Sequence, residues 1–157
     1  MDLNETIFFA LVLYLLVKNG QPSCSTLLSE SRSNGTICNI PKIEEGEPLD
    51  LAISNPAYLY LTVRDGEISK DTFKNVTPVA ELWIMGENMT DIQPGAFVNL
   101  TNLNNLVVTN TSLAKLSRNT FAGMSNLTTL ALNDNKISVI EDGAFFWVGK
   151  SATADSE

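Results

Sequence analysis

Four phenylalanines, Phe73, Phe97, Phe121 and Phe145, stand twenty-four residues apart, and so do Leu82, Leu106 and Leu130. The positions between them repeat in step. Ile84, Val108 and Leu132 lie two residues past each leucine, Met89, Leu113 and Ile137 seven past it, and Ile92, Leu116 and Ile140 ten past it. Val79, Leu103 and Leu127 precede it by three. A fixed period of this length specifies a solenoid, in which each unit leaves an apolar face that only its neighbours cover. No other feature of the chain restricts the fold so far.

Each unit opens with a strand-like alternation: Leu82-Trp83-Ile84-Met85, Leu106-Val107-Val108-Thr109, Leu130-Ala131-Leu132-Asn133. Side chains alternate across a strand, so the aliphatic first and third residues point inward and the second and fourth outward. Turn residues follow, as in Gly86-Glu87-Asn88 and Asn133-Asp134-Asn135. With few residues of each unit in strand, the coil closes through short helical or irregular pieces on its outer side. The pattern therefore predicts an α/β solenoid, a short arc whose strands at 59–63, 82–85, 106–109 and 130–133 run parallel on the concave face. The phenylalanines are expected to stack in one internal column.

The segment Leu130-x-Leu132-x-x-Asn135-x-Ile137-x-x-Ile140-x-x-Gly143-Ala144-Phe145 closely resembles the extracellular leucine-rich repeat of Toll-like and Slit-like ectodomains. The resemblance covers residues 58–148, divided as 58–81, 82–105, 106–129 and 130–148. It implies a ladder of buried asparagine amides, but only Asn135 occupies that slot; Glu87 and Thr111 replace it, so the ladder is broken or remade with other donors. The first unit is irregular. Phe73 and Ile68 fall in place, whereas Asp65 stands where an aliphatic residue is expected. One register leaves Leu59 and Leu61 outward beside Trp83; a one-residue shift instead makes Leu59, Leu61 and Val63 the inward set. Cys38-Asn39-Ile40-Pro41 is similar to the cysteine-bearing cap that covers the first repeat in this family, which places an N-terminal cap at 24–57. At the other end little or no cap is expected, and residues 149–157 read as a disordered tail.

Composition limits the work such a chain does. The formal net charge of −8 argues against nucleic acid, which requires clustered Lys and Arg. Histidine is absent, so the commonest general base and metal ligand are missing. The acidic pairs Glu44-Glu45 and Glu141-Asp142 lie beside turn residues, where carboxylates are solvated. Asn133-Asp134-Asn135 has a calcium-like composition without the Gly and bidentate Glu of a calcium loop. No catalytic residue, metal site or cofactor is expected.

The uninterrupted apolar run from Ile7 to Val17 has the length of a signal-peptide core and falls short of the about 20 residues a spanning helix needs. Residues 1–23 accordingly read as a secretory signal of uncertain cleavage site, and the mature chain as extracellular without a membrane span. Sequons at Asn34, Asn88, Asn99, Asn110 and Asn126 agree with that compartment, while Pro78 after Asn75-Val76-Thr77 weighs against a sixth at Asn75. Cys24 and Cys38 read as one disulfide in an oxidising compartment, or as two unrelated thiols.

What remains is a surface. Its outward residues are Trp83, Met85, Val107, Thr109, Ala131 and Asn133, apolar in the N-terminal half and polar in the C-terminal half. Trp83 reads either as a docking anchor or as core beneath the cap, and Asn110 sits at the edge of the face. The resemblance implies a binding protein with a protein partner, such as a cell-surface or immune ligand. The alternative is a truncated piece of a larger receptor ectodomain, acting as a decoy or not at all.

Overall fold

The computed structural model describes residues 23–27, 35–43, 46–49, 56–76, 79–146 and 154–155. The apolar leader, Asn34, Glu44-Glu45 and the end of the last expected repeat at 147–148 lie outside them. Within the described residues the chain winds as a β-solenoid of parallel strands. The strands are β1 (Ser23–Leu27), β2 (Gly35–Ile40), β3 (Tyr58–Val63), β4 (Gly66–Ile68), β5 (Glu81–Gly86) and β6 (Met89–Ile92). They continue with β7 (Asn105–Thr111), β8 (Lys115–Leu116), β9 (Thr129–Ala131), β10 (Val139–Ile140) and β11 (Ala154–Asp155). One sheet has the order β1-β2-β3-β5-β7-β9-β11; beyond the corner of each turn lie two short ladders, β4–β6 and β8–β10. From β2 to β11 neighbours in the long sheet run parallel, and only β1 is antiparallel to its partner β2.

The period appears as register. Leu82 pairs with Leu106 and Leu106 with Leu130, so equivalent residues stack from one turn to the next. Leu59, Leu61, Leu82, Ile84, Leu106 and Val108 are fully buried behind the sheet. Phe73, Phe97 and Phe121 are also fully buried. Their ring centroids lie 5.7 Å and 6.0 Å apart, and Phe145 continues the column at 5.7 Å with planes within 10° of Phe121.

The outer side corrects the expected α/β class. Among the described residues there is no helix; residues 70–75, 94–99, 118–123 and 142–146 are tight turns. Their backbone bonds span three residues, as from Val98 N–H to Gly95 O and from Ala122 N–H to Asn119 O. Left-handed backbone punctuates these turns at equivalent places, with φ of 76° at Gly95, 62° at Asn119 and 81° at Gly143. This explains why Gly or Asn precedes Ala96-Phe97, Thr120-Phe121 and Ala144-Phe145, since those residue types occupy φ > 0 at least cost; in the first unit Asp71 stands at that place. Gly95 N–H then donates to Asn119 O and Asn119 N–H to Gly143 O, tying the turns together along the solenoid.

The first unit adopts the shifted register. Leu59, Leu61 and Val63 are the buried set and Tyr58, Tyr60 and Thr62 face outward, so Leu59 and Leu61 are not on the outer face. Leu59 pairs with Leu82, and Gly66 with Met89, at a spacing of 23; from Ile68 and Ile92 onward the spacing is 24. The missing residue is thus absorbed at an irregularity between Gly66 and Ile68. Asp65 is exposed at this corner, where its carboxylate accepts the Gly66 N–H at 2.9 Å.

The two ends differ. Cys24 and Cys38 are register partners of the β1–β2 pair, and their sulfurs are bonded at 2.06 Å. At the last turn Ile140 is 55% exposed, whereas its equivalents Ile92 and Leu116 are 1% and 0% exposed. The segment expected as a disordered tail contributes β11, whose Ala154 and Asp155 pair with Leu130 and Ala131. The short strand extends the sheet but leaves Val139, Ile140 and Phe146 exposed.

Candidate functional site

Because β2, β3, β5, β7 and β9 are in register, their outward residues form rows. The central row runs Ile37, Tyr60, Trp83, Val107, Ala131, each paired with the next and all half-buried. On one side lie Tyr58, Glu81, Asn105 and Thr129; on the other lie Thr62, Met85 and Thr109. Side-chain size falls along the central row from Tyr and Trp to Val and Ala, so the broad apolar area sits over β3 and β5.

Trp83, Met85, Val107, Thr109 and Ala131 therefore share this face. Asn133 does not: β9 ends at Ala131, and Asn133 is exposed in the following turn rather than on a strand at 130–133. The Trp83 ring lies 5.9 Å from that of Tyr60 with planes inclined by 34°. Its indole N–H donates to Glu81 Oε1 at 2.7 Å. Glu81 was missed because β5 begins one residue before the expected strand at 82–85, and Tyr58 and Tyr60 because the strict period assigns the wrong parity to the first unit. The signal that finds them is the 23-residue step from Tyr60 to Trp83, which keeps three consecutive inward aliphatics.

The corner beside this face replaces the expected asparagine ladder with a smaller assembly. Asn135 donates through Nδ2 to Val108 O at 2.8 Å and Leu132 O at 2.7 Å. Its Oδ1 accepts the Thr111 hydroxyl at 2.6 Å and the Thr111 N–H at 3.2 Å. Thr111 Oγ1 in turn accepts the Leu113 N–H at 3.1 Å, so the buried threonine serves in place of an asparagine. Glu87, in the preceding unit, is exposed and takes no part through its side chain; its backbone carbonyl accepts the Ser112 hydroxyl. In β7 the register steps between Thr109 and Thr111, leaving Asn110 as an exposed extra residue with φ 52° at the edge of the face.

Asn88 and Asn126 are also exposed, and Asn99 is half-buried. Asn126 Nδ2 donates to Thr101 O at 2.7 Å. Of the acidic pairs, Glu141 lies 2.6 Å from the Lys115 ammonium and accepts the Arg118 N–H at 2.9 Å. Those two hydrogen bonds, Lys115 first, hold its carboxyl below the ordinary range, which is a poor starting point for a general acid. Among the described residues no three His, Cys, Asp or Glu side chains gather as a metal site, and no helix is long and apolar enough to cross a membrane.

Residues 101–147 match the family described as leucine rich repeat. No curated protein matches the chain. The matched stretch spans β7 to the last outer turn, and together with the solenoid it supports a leucine-rich repeat protein. Repeats of this kind serve protein–protein interaction in general, and solenoids of this class are mostly non-catalytic.

Proposed function

We propose that the chain is a secreted, glycosylated leucine-rich repeat protein that binds another protein through the concave outer face of its sheet and carries out no reaction. The observation that supports this reading is the apolar row from Ile37 to Ala131, with Tyr60 and Trp83 side by side at its broad end. Large half-exposed aromatics on a sheet are enriched at interface centres and depleted from ordinary solvated surface. The signal-like run at 7–17, the sequons and the Cys24–Cys38 bond are consistent with an oxidising, extracellular setting. On this reading Trp83 is an anchor, Met85 and Val107 lie beside it, and a glycan on Asn110 confines the partner to the side of β3 and β5.

Capture from cell-surface and secreted material by the glycosylated protein tests this, with Trp83→Ala run in parallel. Anchor truncation commonly costs at least about 2 kcal/mol, or roughly thirtyfold in affinity. Trp83→Ala should abolish capture while the protein melts as before, whereas Thr109→Ala and Asn133→Ala should change affinity by less than about threefold. Undiminished capture by Trp83→Ala rejects this face as the binding surface.

A further inference from the structure

The two ends of the solenoid differ in what they leave exposed. Four large apolar side chains are exposed among the described residues, and three of them, Val139 at 48%, Ile140 at 55% and Phe146 at 69%, belong to the last turn. At the other end Cys38, Ile40 and Ile43 are buried, and β1, joined to β2 by the Cys24–Cys38 bond, lies along the sheet edge. Strand β10 is an edge as well: among the described residues its one neighbour is β8. Val139 and Glu141 donate their N–H groups to that side, to Ala114 O and Leu116 O, so alternation turns the N–H and C=O of Ile140 the other way. An outward backbone pair flanked by exposed apolar side chains is a template for an added strand.

Symmetry and charge decide which strand fits. Contact between unlike ends would stack copies head to tail, but β1 and its disulfide occupy the end such a copy would meet. Contact between like ends closes on itself as a two-fold pair. The charges beside β10 agree with that arrangement. Exposed Lys136 precedes the strand, and Glu141 and exposed Asp142 follow it. Antiparallel pairing lays each Lys136 toward the acidic end of the other copy, whereas parallel pairing would set like charges together. Lys136 donates to Ser112 Oγ at 3.0 Å, and its ammonium keeps further donors.

We infer that the last turn is the contact of a homodimer, in which β10 pairs antiparallel with β10 of a second copy about a two-fold axis through Ile140. The two Ile140 residues exchange N–H···O bonds, and Val139 and Phe146 lose their exposure to solvent. The inference goes beyond the concave-face reading and does not depend on it.

Sedimentation equilibrium of the full-length chain over a wide concentration range provides the test. It should fit one monomer–dimer equilibrium without larger species, and amide exchange at Ile140 should slow as the dimer forms. Ile140→Asp places two carboxylates at the axis and should leave a monomer at every concentration, with a melting temperature close to that of the wild type because the side chain is more than half exposed. Lys136→Glu should weaken dimerisation at least about threefold, and Asp142→Lys added to it should recover part of the loss. This surface pair keeps the test decisive if Ile140→Asp disturbs the turn. A wild type that stays monomeric, growth beyond the dimer, or a dimer indifferent to both Ile140→Asp and Lys136→Glu overturns the inference. So does a monomer whose Ile140 N–H is already protected, which would show that the chain covers this edge itself. The concave-face reading fails separately, through Trp83→Ala in the capture assay.

Discussion

The phenylalanine column makes a quantitative claim about where this solenoid is held together. Phe121 is fully buried and stacks on two rings, Phe97 at 6.0 Å and Phe145 at 5.7 Å. Phe145 is half-buried at the last turn and stacks on one described ring, Phe121. Truncating a buried Phe to Ala costs roughly 3–5 kcal/mol from lost transfer energy and the cavity left behind. Each aromatic pair adds about 0.5–1.5 kcal/mol beyond area, and Phe121→Ala removes two of them. It should therefore fall at the upper end of that range, a large share of the 5–15 kcal/mol that stabilises an ordinary domain. Phe145→Ala loses its pair with Phe121 and opens a cavity already reached by solvent, so a smaller cost is expected. Urea unfolding of the wild type and both variants, read as midpoint shifts at constant m-value, measures the two costs. Equal costs, or a larger one for Phe145→Ala, would show that the last turn is as well packed as the interior and that the exposure gradient misrepresents the energetics.

Three further expectations follow from particular contacts. A Cβ on Gly86 would clash with Val63 O, a backbone atom of the neighbouring strand β3, while one on Gly95 meets nothing within 4 Å. Gly86→Ala should cost about 2–3 kcal/mol or prevent folding, and Gly95→Ala only the roughly 1–2 kcal/mol of a left-handed alanine, both read by thermal unfolding. Asn135→Ala strands Val108 O and the Thr111 N–H at the corner and should cost about 1–3 kcal/mol; hydrogen exchange should rise first at Thr111 and Leu113. Glu141, held below its ordinary pKa by Lys115 and the Arg118 N–H, contributes stability that is present above the unfolded carboxylate range and lost as pH falls through its folded value. Side-chain NMR titration should find it below the ordinary glutamate value, and Lys115→Ala should move it upward.

The repeat was legible because its cause is local and periodic. Twenty-four residues return the chain to the same wall, and Leu, Ile and Phe at fixed offsets are what that wall accepts. The inward parity of Leu82, Ile84, Leu106 and Val108 follows from alternation alone, as does the outward parity of Trp83, Met85, Val107 and Thr109. Gly95, Asn119 and Gly143 each stand two residues before a phenylalanine of the column, and their positive φ supplies the reason.

What tertiary structure decided lies where the period slips. Both registers of the first unit satisfy the sequence pattern locally, and the choice belongs to the neighbouring strand: Leu59 and Leu61 are inward because Leu82 and Ile84 are already fixed opposite them. That choice brings Tyr60 against Trp83 and puts Tyr58 and Glu81 on the same face. The outer pieces are turns rather than helices because left-handed residues at Gly95, Asn119 and Gly143 interrupt them and their backbone bonds close over three positions. Thr111 replaces a ladder asparagine only because Asn135, one turn away, aims its Oδ1 at it. Spacing within one unit determines what is buried; the fit between adjacent units determines the face that remains outside.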